Sequence, residues 1–148
     1  MPPLPKAGPE PPQNRSLAAL APDVRVACEA LIVECARRGI GLLVTETARS
    51  KERQDWLWSI GRTHSHPATG GEKPVTWTQN SRHLDGRAFD VVPMRLEVPP
   101  PGAADPTAIR AVAWWGFPAW EIIGAAGEKI GLRWGGRWTT KDLPHFEM

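Results

Sequence analysis

The sequence predicts a single α+β domain, an antiparallel sheet with flanking helices. Three observations carry this expectation. The length, 148 residues, is that of one ordinary domain. Helical and strand-like periods follow one another without the regular strand–helix alternation of a parallel sheet. The 41% of hydrophobic residues suffices for a core that buries about 68–70% of the unfolded chain's surface, with no disulfide scaffold needed.

Residues 1–15 carry Pro2, Pro3, Pro5, Pro9, Pro11 and Pro12 and almost nothing apolar, which predicts a disordered or polyproline-like tail, with the folded domain spanning 16–148. From Pro22 to Arg38, Val24, Ala27, Cys28, Leu31 and Cys35 recur at helical spacing, and Gly39 supplies the stop. Ile40 to Thr47 is short and β-branched, as a strand requires. Ser50 then caps a second helix carrying Trp56, Leu57 and Ile60. Gly61 to Asn80 is rich in Gly, Pro, Ser and Thr and reads as a long loop, a kind of segment that is often functional. Ala88 to Val92 alternates about Asp90 as a half-buried strand ended by Pro93, and Pro99, Pro100, Pro101 and Gly102 form a further connection. A third helix is expected within Pro118 to Ile130. Pro144 disfavours helical geometry at Leu143, so the last residues read as a turn entering a final strand.

Composition narrows the function classes. Lys and Arg number 18 against 16 Asp and Glu, a net charge of +2, so no basic face points to nucleic acid. Cys28 and Cys35 stand about 10.5 Å apart on a helix, too far to bridge, and read as buried thiols. No run of 18 apolar residues and no apolar signal core occur, so the expectation is a chain that spans no membrane and is made in the cytoplasm without a signal peptide. Eight Trp with no Tyr are expected mostly in the core.

Chemistry concentrates in two short segments. His83 and Asp90 flank Gly86, where a turn can bring imidazole and carboxylate together. A catalytic zinc ion takes three N or O ligands and keeps a fourth position open, and His83, Asp90 and His145 supply such a set. Asp142, three residues before His145, is within reach as general base for the attacking water and proton donor to the leaving amine. Spacing alone fits a satisfied core or surface pair as well. His64 and His66 form an HxH pair in the polar loop and, like Asp85, read as solvated.

The string Ser81-Arg82-His83-Leu84-Asp85-Gly86-Arg87-Ala88-Phe89-Asp90, with Trp134-Gly135-Gly136-Arg137-Trp138 and Asp142-Leu143-Pro144-His145-Phe146-Glu147, resembles the M15 family of zinc peptidases. The family pattern SxHxxGxAxD supplies two zinc ligands and (D/E)xxH supplies the base and the third ligand. The resemblance thus implies His83, Asp90 and His145 as ligands of Zn2+ and Asp142 as catalytic base. Thr45 to Gln54 is similar to an upstream family segment, which implies that Arg49 steadies the oxyanion. Ser81 matches a position that orients substrate or His83, a turn-forming serine being the plain alternative, and Glu147 matches one that holds a ring N–H or a nearby strand.

The resemblance covers about Ser16 to Glu147 and implies a fold like that of the hedgehog and DD-peptidase proteins. The activity it implies is zinc-dependent hydrolysis of the peptidoglycan stem peptide by a monomer. The short chain without a leader looks most like a bacteriophage endolysin that cuts between L-Ala and D-Glu and reaches the cell wall after release. A D-alanyl-D-alanine carboxypeptidase or dipeptidase, and a catalytically silent wall-binding module, are the alternatives.

Overall fold

The computed structural model describes residues 2–148. Its elements are α1 (Pro22–Arg37), β1 (Leu42–Glu46), α2 (Lys51–Ser59), β2 (Ala88–Glu97), β3 (Arg110–Ala113), α3 (Trp120–Ile130), β4 (Arg133–Trp134) and β5 (His145–Glu147), with single 3-10 turns at Leu17–Ala19, Arg82–Asp85 and Gly135–Arg137. The sheet runs β1-β2-β5-β4, β3 pairs with β2, and every pairing is antiparallel. No helix among the described residues is long and apolar enough to cross a membrane.

Alternation along the central strand separates a core face from a functional face. Phe89 and Val91 are fully buried, and Phe89 stacks on Phe146 of β5 with ring centroids 5.8 Å apart. Val24, Cys28, Leu31 and Cys35 of α1 and Ile123 of α3 complete that core, the α1 stripe expected from its spacing. Burial pushes the thiols of Cys28 and Cys35 up to about 12 and about 11, so both are unreactive packing groups. Asp90, between Phe89 and Val91, faces the other way.

Three expectations need correction. Pro93 does not end the strand, and β2 continues to Glu97. Pro93 stands opposite Leu42, the neighbouring Met94 N–H bonds Gly41 O, and the Pro93 carbonyl accepts from Trp114 N–H. The proline thus falls where β2 passes from β5 to β3, where its missing donor breaks no ladder bond. Residues 2–15 do not hang free: Ala7 N–H bonds Ser65 O, Ser65 N–H bonds Pro5 O, Gly8 O accepts from Trp56 Nε1 and Pro11 is buried. The tryptophans are mostly outside the core, with only Trp120 and Trp134 buried and Trp77, Trp115 and Trp138 exposed.

Trp134 explains why α3 carries a glycine at position 124. A Cβ at Gly124 would lie 2.2 Å from the Trp134 ring, as would one at Gly136. The indole N–H is fixed to Leu143 O at 2.8 Å, so the ring cannot swing away cheaply. Gly124→Ala is therefore expected to destabilise the fold by about 1–3 kcal/mol, outweighing the gain in helix propensity of up to about 1 kcal/mol. Thermal unfolding followed by circular dichroism checks this, with a melting point lowered by several degrees expected.

Candidate metal centre

A row of side chains crosses three strands. Asp90 is the register partner of His145 on β5 and of Glu46 on β1, and such partners project from the same face. A bulge between Val44 and Glu46 brings Glu46 onto that row. His83 arrives from outside the sheet, on the turn Arg82–Asp85. Ser81 Oγ caps this turn by accepting the His83 main-chain N–H at 3.2 Å, and Gly86 closes it with φ 66°. A Cβ at Gly86 would also approach Ala19 O to 2.9 Å.

Hydrogen-bond partners assign the imidazole tautomers. His83 Nδ1 donates to Thr47 O at 2.7 Å, leaving the Nε2 lone pair 3.2 Å from Asp90 Oδ1. His145 Nε2 donates to Glu147 Oε1 at 2.9 Å, leaving its Nδ1 lone pair 3.3 Å from the same Asp90 oxygen. Two nitrogen lone pairs and a carboxylate oxygen thus converge, an arrangement that repels itself unless a metal ion or, in its place, a proton stands among them. The 3.2 and 3.3 Å separations are close to the roughly 3.3 Å edge of a tetrahedron of N and O ligands about 2.0–2.1 Å from zinc. Among the described residues, His83, Asp90 and His145 are the group of potential metal ligands brought together, with all ligand atoms within 4.8 Å of one another.

The electrostatics favour positive charge here. Burial by itself would raise the Asp90 pKa, but hydrogen bonds from His145 and His83 hold the carboxyl far below the usual range. Burial would lower the pKa of His145, yet hydrogen bonds to Asp90 and Glu147 bring it up to about 9. Glu147 is held down at about 2, first by the His145 bond and then by Arg133. It also receives Arg82 Nε at 2.8 Å, so it stays ionised and fixes the imidazole it faces.

Asp142 stands beside this cluster with Oδ2 3.9 Å from His145 Nδ1 and its side chain about half exposed (49%). Burial against the cleft wall and the Asp90 charge raise its carboxyl above the ordinary value, which suits a group that must accept and return a proton. Its backbone is anchored, with Asp142 N–H on Gly135 O and His145 N–H on Asp142 O. A Cβ on Gly135 would meet Asp142 O at 2.4 Å, so the glycine is what lets this turn close.

Arg49 is nearly buried, 9% exposed, with Nη2 on Glu46 Oε1 at 2.5 Å and 4.0 Å from Asp90 Oδ2. Nη1 donates to Gln54 Oε1 at 2.8 Å, while Nε is buried without a partner. These groups line one cleft of about 690 Å³, whose other walls include Thr78, Trp77, Trp138 and Lys141. The Trp138 ring lies 5.0 Å from that of His145. His64 and His66 stay outside the cleft and half-buried.

Residues 75–148 match the M15 peptidase profile described as D-alanyl-D-alanine carboxypeptidase. The peptidoglycan L-alanyl-D-glutamate endopeptidase CwlK of Bacillus subtilis (strain 168) is 30% identical, the likeness covering 87% of this chain and 73% of CwlK. The chain belongs to the M15 metallopeptidase family. Among solved structures, the L-Ala D-Glu endopeptidase ChiX of Serratia marcescens superposes on this M15 peptidase with a TM-score of 0.58 at 27% identity, covering 89% of this chain and 82% of ChiX. The LdcB LD-carboxypeptidase shares the M15 fold at 13% identity, again with a TM-score of 0.58, over 97% of this chain and 64% of LdcB.

Sequence reasoning gave no role to four residues of this M15 site: Glu46, Thr47, Arg53 and Gln54. Each lies in the Thr45–Gln54 segment: Thr47 holds His83, Glu46 and Gln54 hold Arg49, and Arg53 holds Glu46. A charged residue inside an apolar strand, followed by arginines at 49 and 53, is the signal that marks Glu46: a carboxylate there has to be paired if it is buried.

Proposed function

We propose that this M15 metallopeptidase is a zinc-dependent hydrolase of the peptidoglycan stem peptide, cutting between L-Ala and D-Glu. The observation that carries the proposal is the convergence of His83 Nε2, Asp90 Oδ1 and His145 Nδ1, with Asp142 next to them in an open cleft. Two N ligands and one O ligand are the donor set of a catalytic zinc ion. Bound there, zinc supplies Lewis-acid polarisation of the peptide carbonyl. Asp142 Oδ2 takes a proton from the attacking water and returns it to the leaving amine nitrogen. Arg49 offers its unpartnered Nε–H and its fixed charge to the developing oxyanion. Ser81 sets the turn that presents His83, and Glu147 orients the His145 ring.

The choice of bond is supported by CwlK and ChiX, both named as L-Ala-D-Glu endopeptidases and both matched over most of their length. Cutting between L-Ala and D-Glu detaches the cross-linked stem from the glycan, which is the action of an endolysin on the wall, and that role is proposed on the same footing.

The test is to incubate the protein with peptidoglycan sacculi, with chelator and then with zinc restored, and to identify the fragments by mass spectrometry. New D-Glu amino termini that depend on zinc are expected. Release of terminal D-Ala alone would move the enzyme to the carboxypeptidases, and binding without release would leave a wall-binding module.

A further inference from the structure

We propose that the proline-rich segment preceding the first 3-10 turn is a strap that positions the catalytic groups, with Glu10 acting on Arg49 and Asn14 acting on His83. The inference rests on the site assignment above. It starts from how completely the segment is tied down. Leu4 N–H bonds Glu72 Oε1, Leu4 O accepts from Ser65 Oγ, and the main chains of Pro5 and Ala7 pair with Ser65. Prolines remove donors that an extended strand would leave unpaired, so this composition suits a strap as well as a tail.

Two relays run inward from it. In the first, Arg53, only 3% exposed, gives Nη1 to Glu10 Oε1 at 2.8 Å and to Pro11 O at 3.0 Å. The same guanidinium gives Nε to Glu46 Oε2 at 2.5 Å, and the other oxygen of Glu46 holds Arg49 Nη2, also at 2.5 Å. Charge explains why Glu10 matters. Asp90, 4.0 Å from Arg49, faces the two imidazoles, so Glu46 is the one carboxylate hydrogen-bonded to both buried arginines, and Glu10 gives this relay two cations with two carboxylates. Without it, Arg53 competes with Arg49 for Glu46, and the guanidinium that faces the oxyanion loses its fixed geometry.

In the second relay, Thr47, fully buried, donates N–H to Asn14 O at 2.7 Å and Oγ1–H to the same oxygen at 3.1 Å. The Thr47 carbonyl then receives His83 Nδ1 at 2.7 Å. The strap therefore sets the peptide that fixes the tautomer and the direction of a metal ligand. Glu10, Pro11 and Asn14 are positioning residues, since none of them lines the cleft.

The test uses the full chain and a double-mutant cycle. Glu10→Gln is expected to lower kcat on sacculi about tenfold with KM changed less than about twofold, because a misplaced charge is felt in the transition state. In an Arg49→Ala background the same change should move kcat by less than about twofold, since Glu10 acts through Arg49. Full kcat in the single variant, or an equal loss in both backgrounds, would overturn this relay. The second relay is read without substrate: Thr47→Val, which keeps the shape but drops the hydroxyl bond to the strap, should weaken zinc severalfold in chelator competition. Unchanged zinc affinity there would overturn it. Failure of the unaltered chain to release wall fragments would sink the substrate assignment, while the zinc measurement, which does not involve substrate, would still decide whether the strap positions His83.

Discussion

Asp142→Asn is expected to lower kcat by about 10²–10⁴-fold while zinc stays bound, the range for loss of a positioned general base. The substitution removes the proton-accepting oxygen and little else. Asp142 is not one of the three convergent ligands. Its structural bonds, to Gly135 O and from His145 N–H, are made by the backbone and survive. Its side chain is about half exposed, so an amide there creates no buried mismatch, and the melting temperature should move by no more than a degree or two, in line with a surface change below about 0.5 kcal/mol. Steady-state kinetics on purified muropeptides, with zinc content by atomic absorption on the same preparation, separates the two effects. A variant that turns over at the unaltered rate would remove Asp142 from the chemistry.

His83→Ala has the larger reach, because it strikes the ligand set and the fold together. Zinc affinity is expected to fall by at least about 100-fold, beyond the 10–100-fold typical of losing a partner one shell farther out. The residue is 1% exposed, with Nδ1 on Thr47 O and Nε2 facing Asp90 Oδ1. Its removal strands Thr47 O, unbalances Asp90 and opens a cavity, costing about 2–4 kcal/mol. Atomic absorption and thermal melts of the zinc-free protein read the two losses independently. Full metal occupancy in this variant would mean that the ligand set is misassigned.

The parts of this molecule written in periodicity were legible from sequence. The α1 stripe from Val24 to Cys35 is buried as its spacing demands, and Ser50 Oγ caps α2 by accepting Arg53 N–H at 3.1 Å. The local motifs around His83 and His145 led to the cluster that β2 and β5 bring together. What stayed hidden depends on the main chain or on tertiary contact. β3 is half exposed, without the alternation that marks a strand. The strap has little apolar surface and is held through carbonyls and one ion pair, which composition cannot show. Trp77 and Trp138 have core-like chemistry but wall a cleft, and only the fold tells a core tryptophan from a cleft one.

The pairing of Asp90 with His145 has a consequence for assembly. These two residues face each other on neighbouring strands far apart in the chain, and β5 is only three residues long. A one-residue slip of so short a strand would turn His145 into the hydrophobic interior and Phe146 outward. An ion held by both residues would act as a clip that closes the long intervening loop and rejects the slipped alignment. Loading of such an ion would then be coupled to correct alignment of the last strand.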